Sequence, residues 1–472
     1  VTTTGGSNVS DGTVGIGYQA LTALTSGANN IGIGLGAGAG ITTGAGNTII
    51  GTGAGDTCHA GDANNTVIGA NAFSASHSAA NSANVAIGED TLKGVMSAAH
   101  YNVAIGYQAL MDVTTGDDNV GIGGYALANV DEGTDNVAIG RGAGDAMTDN
   151  TNNIAIGTNA LGLASTGEHN NVAIGYGAMS DANASACDGN VAIGYACADG
   201  MNTITGGNNV FIGYNCAGGN NDWTTSTSDN NVMVGAHCGS GANMNGAASN
   251  TFIGYDAGGD IVGATGNCLM GKEAGKSIAS GHYNIVIGSD AGENITNGDY
   301  NVLIGAGVAA SGADVNNEVV IGYNLTAAGT ETCRIGLNTD YITCDFGEDN
   351  AWVHSSDERI KKDIEDNELG LDFIKDLRTV KFKKKAPSEY PKEFDQHDSE
   401  VTKRKNPDRI HYGFIAQEVK KAMDKAGHPE FTVWSEQSDG MQELGETEFI
   451  TPLIKAVQEL SAKVEELEAK IN

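Results

Sequence analysis

Ser356 and Lys361 stand five apart in "SDERIKKDI", residues 356–364. A serine hydroxyl is a poor nucleophile until a base takes its proton. A lysine amine can be that base once burial or a neighbouring cation lowers its pKa, and Ser–Lys pairs are a known variant of the triad. Arg359 and Lys362 are local cations that could press on Lys361. The spacing alone is uninformative, because the same stretch also reads as a solvated helix start with Ser355 or Ser356 as N-cap. Three further candidates, Cys197, Cys216 and Cys238, fall at one equivalent position of consecutive repeats. They could form a metal or disulfide ladder, but spacing by whole repeats is not a metal-ligand pattern. The reading expects Cys in place of Ala as a small buried hydrophobe, with no metal and no cofactor. Asp117, Asp118, Asp131 and Glu132 are scattered in variable loops, without the recurring carboxylate pair that glycoside hydrolysis needs.

What positions these residues is a chain written in two styles. "NVAIGYQALM" at 102–111 is echoed by "NVAIGRGAG" at 136, "NIAIGTNAL" at 153 and "NVFIGYNCA" at 209. The glycine closing each phrase falls at 17, 34, 51, 69, 88, 106, 123, 140, 157, 175, 194, 213, 235, 254, 271, 288, 305, 322 and 336. Up to 322 the steps run from 17 to 22 residues, and the last is 14. A fixed minimum with insertions confined to one segment is the signature of a solenoid, a constant coil with loops on one face.

Within a phrase, Val and Ile sit two apart and share one face of a short strand. The residue between them is also apolar: small in Ala86, Ala104 and Ala138, bulky in Phe211, Met233 and Phe252. A strand apolar on both faces is buried on both faces. One face can fill the coil's own core, so the other predicts oligomerisation about the long axis. The change to bulky residues after about residue 210 predicts wider packing there. Asn stands four before the glycine in 16 of the 19 repeats, which predicts an amide ladder running along the stack. At strand spacing of ~4.8 Å, the coils make a rod of roughly 90 Å. The phrases at 14–336 resemble the head repeats of trimeric autotransporter adhesins, a left-handed β-roll of three packed chains, and similar phrases occur in phage tail fibres. The coils here are longer than those heads lead one to expect.

Composition divides at the same place. Residues 1–350 hold 64 of 69 glycines, all eight cysteines, no proline, and 5 Lys/Arg against 32 Asp/Glu. So acidic a surface repels phosphate backbones, which argues against nucleic acid as a partner. No apolar run reaches the ~20 residues of a membrane span, so no membrane insertion is expected. The cysteines give no disulfide framework, which fits synthesis in a reducing cytoplasm. Since the chain opens on Val1, it is expected to be an excised or processed portion of something longer.

From Ser355 glycine nearly vanishes and helical periodicity appears. Ile415, Val419 and Met423 mark one helical face. Ile450, Leu453, Val457, Leu460, Val464, Leu467 and Ile471 step by 3 and 4, a heptad seam that predicts a short coiled coil at about 450–471. β-Branched residues alternating with Leu favour a dimer by the usual rule, although three heptads on a larger domain specify number weakly. Three features taken in order, "SDERIKKDI", "GFIAQEV" at 413–419 and "LIKAVQEL" at 453–460, resemble the C-terminal intramolecular chaperone first known from phage endosialidases. That resemblance implies a domain that trimerises, guides folding of the upstream β-rich fibre and then cuts itself off. Its catalytic serine and lysine fall on Ser356 and Lys361.

The expected architecture is mainly β: a trimeric β-roll or β-solenoid of 17–22-residue coils at 1–336, a capping tip and junction at 337–355, and a small α+β chaperone domain at 356–472. The resemblance implies a phage tail fibre or spike, made in the host cytoplasm and carried on the virion. Its expected partners are two further copies of the chain, other tail proteins upstream, and a host receptor, either glycan or outer-surface protein. Its only expected enzymatic activity is autoproteolysis, as a serine peptidase acting on itself. One alternative is a bacterial trimeric adhesin, which is expected to end in a membrane-anchoring β-barrel segment where this chain ends in a charged heptad helix. Another is a polysaccharide-degrading tailspike. Two receptor sites suggest themselves: the long insertion at 218–231 with Trp223, and the tip with Tyr341, Phe346 and Trp352, which also reads as a hydrophobic cap.

Overall fold

The computed structural model describes residues 11–75, 77–182, 187–201, 206–218, 228–240, 244, 246–346, 352–353 and 356–471. It contains two compact units, Val1–His354 and Ser355–Asn472.

The first unit is a β-solenoid. Nineteen short strands, from Val14–Ile16 to Thr332–Leu337, stack in parallel and in sequence order, enclosing eighteen coils. Register is fixed residue on residue: Val103, Ala104 and Ile105 lie over Val120, Gly121 and Ile122. The glycine after each strand is required by geometry. Gly106 has φ +134°, and a Cβ there would lie 2.5 Å from the carbonyl oxygen of Gly123 in the next coil. Past it, Gln108 and Leu110 adopt left-handed φ of 54° and 49°, turning the corner. The side chains of Ala109 and Leu110 are fully buried there.

The strand's middle residue points into the coil and is fully buried, as at Ala104, Ala173 and Phe252. Its Val and Ile neighbours face outward and stay part-exposed, reaching 58 % at Ile16 in the first strand and 41 % at Ile285 deep in the stack. Apolar residues therefore run the length of the sheet's outer face.

The packing does not widen where the middle residue becomes bulky. In the coil of Ala104, the interior is filled by Leu110. In the coil of Phe252 the equivalent position is Gly258, where a Cβ would lie 2.6 Å from the phenyl ring. Large and small exchange places within one coil, so its cross-section is conserved.

The Asn ladder runs from Asn30 to Asn301 and ends on Glu318, with every member buried. Each side-chain oxygen accepts the backbone N–H of the Asn one coil on, as from Asn119 to Asn102 at 3.0 Å. Each amide nitrogen donates to a backbone carbonyl of the next coil, as from Asn119 to Gly133 at 2.7 Å. The ladder thus pairs buried backbone groups that the three-residue strands cannot reach.

The far end is closed by an antiparallel hairpin. Thr332–Leu337 pairs with Asp340–Asp345, which pairs in turn with Trp352–Val353. Residues 337–346 therefore continue the solenoid sheet.

The second unit contains helices α1 (Leu371–Asp376), α2 (Ala416–Ala426) and α3 (Ile450–Ile471). Two small antiparallel pairs accompany them: Val380–Phe382 with His411–Gly413, and Trp434–Glu436 with Gln442–Leu444. Leu369, Phe373, Val419, Ala422, Met423, Val433 and Phe449 form its core. Of the helical face read from the sequence, Val419 and Met423 enter this core, while Ile415 is the residue that precedes α2. One side of α3 buries Pro452 and Ala456, and its Glu459 accepts the Leu371 N–H at 2.8 Å. The heptad residues Leu453, Val457, Leu460, Val464 and Leu467 are 46–64 % exposed.

Candidate active site

The residues around Ser356 fold back on themselves. Asp357 caps a single 3-10 turn, Glu358–Ile360, its carboxylate accepting the Arg359 N–H at 2.9 Å. The Lys361 N–H closes the turn on the Glu358 carbonyl at 3.0 Å. A turn this tight reverses the chain within a few residues. It brings the Lys361 amine to the Ser356 hydroxyl, with Nζ donating to Oγ at 2.9 Å. Serine and lysine, five apart in sequence, are thus in direct contact.

The electrostatics differ from the sequence expectation. Arg359 does not press on Lys361, because its guanidinium holds both oxygens of Asp357 at 2.9 and 2.6 Å. That pairing, with the N–H cap, lowers the Asp357 carboxyl to about 2. The other cation, Lys362, lies 3.6 Å from Asp363. Neither neighbour is an unpaired positive charge. In this protomer Ser356 and Lys361 are exposed, and so are the apolar side chains of Ile360 and Ile364, at 66 % and 63 %. For Lys361 to act as a base, the site must be taken out of water.

The remaining candidates have structural partners. Cys197, Cys216 and Cys238 are buried free thiols, the first two donating to the Phe211 and Met233 carbonyls at 3.3 and 3.4 Å. Contact with Cys216 together with burial pushes the Cys197 thiol far up; at Cys216 the contact with Cys197 lowers the thiol, but contact with Cys238 and burial outweigh it and raise it. They occupy the small buried position that Ala109 and Ala160 fill elsewhere. Asp117 accepts the His100 N–H at 2.5 Å and Asp131 accepts from the Thr114 hydroxyl, tying adjacent coils together. At the tip, Tyr341 packs against the solenoid core under the Arg334 guanidinium, 4.1 Å from its ring centre, and Phe346 is 52 % exposed. Trp223 and the side chain of Trp352 lie outside the described residues. The sequence reading missed one polar cluster, formed by Cys58, Asp62 and His77. Its members belong to successive coils, and their spacing looks meaningless until the coil length is used to fold it.

Residues 356–428 match a family model, Peptidase S74, described as the chaperone of endosialidase. The match begins on Ser356 and runs through α2. No curated protein and no solved structure matches the chain.

Proposed function

We propose that this chain is the shaft of a homotrimeric fibre or spike of the phage tail type. Its C-terminal unit aligns three chains, assists folding of the solenoid and then releases itself by cutting the backbone beside Ser356. The observation that carries the reading is the 2.9 Å contact between Lys361 Nζ and Ser356 Oγ, at the first residue of the chaperone match.

The chemistry is acyl transfer. Neutral Lys361 takes the hydroxyl proton as Ser356 Oγ attacks the adjacent backbone carbonyl carbon. The C–N bond breaks, the proton passes to the leaving amine, and water hydrolyses the ester. The exposed pair in one protomer makes timing part of the mechanism. Packing of further copies around the apolar Ile360 and Ile364 would strip water from Lys361 and lower its pKa. Cleavage would then follow assembly.

Two exposed apolar surfaces support self-association: the Val/Ile face of the solenoid and the heptad seam of α3. Contiguous apolar surface on this scale marks an interaction face. That the copies number three follows the family resemblance. Packing three solenoids together along their apolar faces requires contacts between chains, which form slowly and leave apolar surface exposed meanwhile. A compact foot raises the effective concentration of the three chains, and its removal closes the route back. As a tail fibre or spike, the product would stand on the virion, having been made in the host cytoplasm, and would contact a host receptor. Lys361→Met tests the dyad: it should trimerise yet stay uncut at every pH. A variant that still cuts would remove Lys361 from the mechanism.

A further inference from the structure

The coils of Gly51 and Gly69 break the repeat's own rules at three places that meet. Seven residues past the glycine, most of the described coils bury an apolar side chain, such as Ile41, Val113, Val130 or Ile261. Here the corresponding residues are Cys58 and, one residue later, His77. Seven residues before the glycine, most coils carry a small residue such as Gly44, Gly116 or Ala264, and here it is Asp62. A buried carboxylate recurs at the Asp62 position in Glu168, but among the described residues it meets a buried cysteine and histidine only here. Departures that converge on one point are expected where a site has been built.

The three side chains are buried, with Cys58 6 %, Asp62 0 % and His77 8 % exposed. One donor atom from each lies within 4.8 Å of the others. His77 Nδ1 is 2.8 Å from Asp62 Oδ2, and that oxygen also accepts the His59 N–H at 2.8 Å. The second carboxylate oxygen accepts the Asn81 N–H at 2.7 Å. These backbone bonds hold the carboxylate in place, as supporting hydrogen bonds do around metal ligands. Two buried polar atoms here have no partner among the described residues: His77 Nε2, and Oδ1 of the neighbouring Asp56. Cys58 donates a long contact to the Phe73 carbonyl, at 3.6 Å, and its thiol also lies within hydrogen-bonding reach of Asp62.

We infer that Cys58, Asp62 and His77 form a binding site for one divalent transition-metal ion of the zinc class, installed as the solenoid folds. A thiolate, an imidazole and a carboxylate are the donor set of four-coordinate zinc, leaving one position for water or for Asp56. Binding replaces the Cys58 S–H with a sulfur–metal bond and releases one proton. Stacking brings residues about one coil apart into contact, so spacing by whole repeats can indeed be a ligand pattern in this fold. The role is structural, a pin between two adjacent coils near the start of the shaft.

Cobalt(II) is the probe. The full chain is produced in cobalt-supplemented cells, purified under reducing conditions and dialysed against chelator. About one cobalt per chain is expected, with a near-ultraviolet thiolate-to-cobalt band and strong visible bands of four-coordinate geometry. Cys58→Ala and His77→Leu should each lose the metal, while Cys216→Ala keeps it. Ala164 occupies the position equivalent to Cys58 in another coil, so the first variant should fold, as far-ultraviolet circular dichroism will check. A wild type no richer in cobalt than Cys58→Ala overturns the inference. So does a thiolate band that survives Cys58→Ala or disappears in Cys216→Ala.

Discussion

Replacing Asn136 with Ala removes one rung from the middle of the ladder. The Asn136 side chain is fully buried and makes four contacts. Its oxygen accepts from the Asn153 N–H at 3.1 Å and the Asn153 amide at 3.3 Å. Its nitrogen donates to Asn119 Oδ1 at 3.0 Å and to the Asn150 carbonyl at 2.7 Å. Two partners keep other bonds: Asn153 Nδ2 still reaches the Glu168 carbonyl, and Asn119 Oδ1 still takes the Asn136 N–H. The Asn153 N–H and the Asn150 carbonyl lose the partner that Asn136 supplies. At ~1–3 kcal/mol for each of the two buried unsatisfied groups, the cost is about 2–6 kcal/mol. Asn129→Ala is the control, because that side chain is exposed and donates one bond, to Asp145, so its loss should stay within about 0.5 kcal/mol. Guanidinium unfolding of the shaft, followed by circular dichroism, measures both. If Asn136→Ala costs no more than Asn129→Ala, the ladder does not hold the coils together.

Glu168 gives a pH signature. It is fully buried where most coils carry a small residue, it accepts from the Asn150 amide at 2.6 Å, and its second oxygen has no partner among the described residues. Desolvation raises its pKa to about 7, above the unfolded value. Folding therefore favours the protonated form. Stability from this group is full below about pH 4.5, erodes as the unfolded chain ionises, and reaches its floor above about pH 7. Glu168→Gln should match wild type at pH 5 and exceed it at pH 8 in thermal melts; the opposite order would refute the assignment. Leu460→Asp, at a heptad position 50 % exposed in the protomer, should leave α3 helical yet reduce the solution mass and slow cleavage. An unchanged mass by light scattering would show that the seam is not an interface.

Much of the shaft was legible in the sequence because the repeat reports its own constraints. A position that is invariably Gly marks a strained, crowded backbone, and a recurring buried Asn marks unpaired backbone groups. The direction of the strand faces was not legible: Val-Ala-Ile is apolar throughout, and only the winding decides that Ala104 points inward. Nor was the exchange of volume between Phe252 and Gly258, because the partners sit six residues apart across a corner built from left-handed residues. At the candidate site, the Ser356–Lys361 contact was reachable from the motif. The engagement of Arg359 by Asp357 was not, since local charge pairing depends on a turn that the motif does not specify. The Cys58 cluster was hidden for a different reason. Its donors are neighbours only after the chain has wound once around.

The central claim is that the C-terminal unit cuts the chain beside Ser356, and intact mass spectrometry of the expressed chain tests it most directly. Wild type should resolve into fragments of about 355 and 117 residues, while Ser356→Ala should remain a single chain of 472. A wild type that folds and assembles yet stays whole, or a Ser356→Ala variant that still splits, would contradict it.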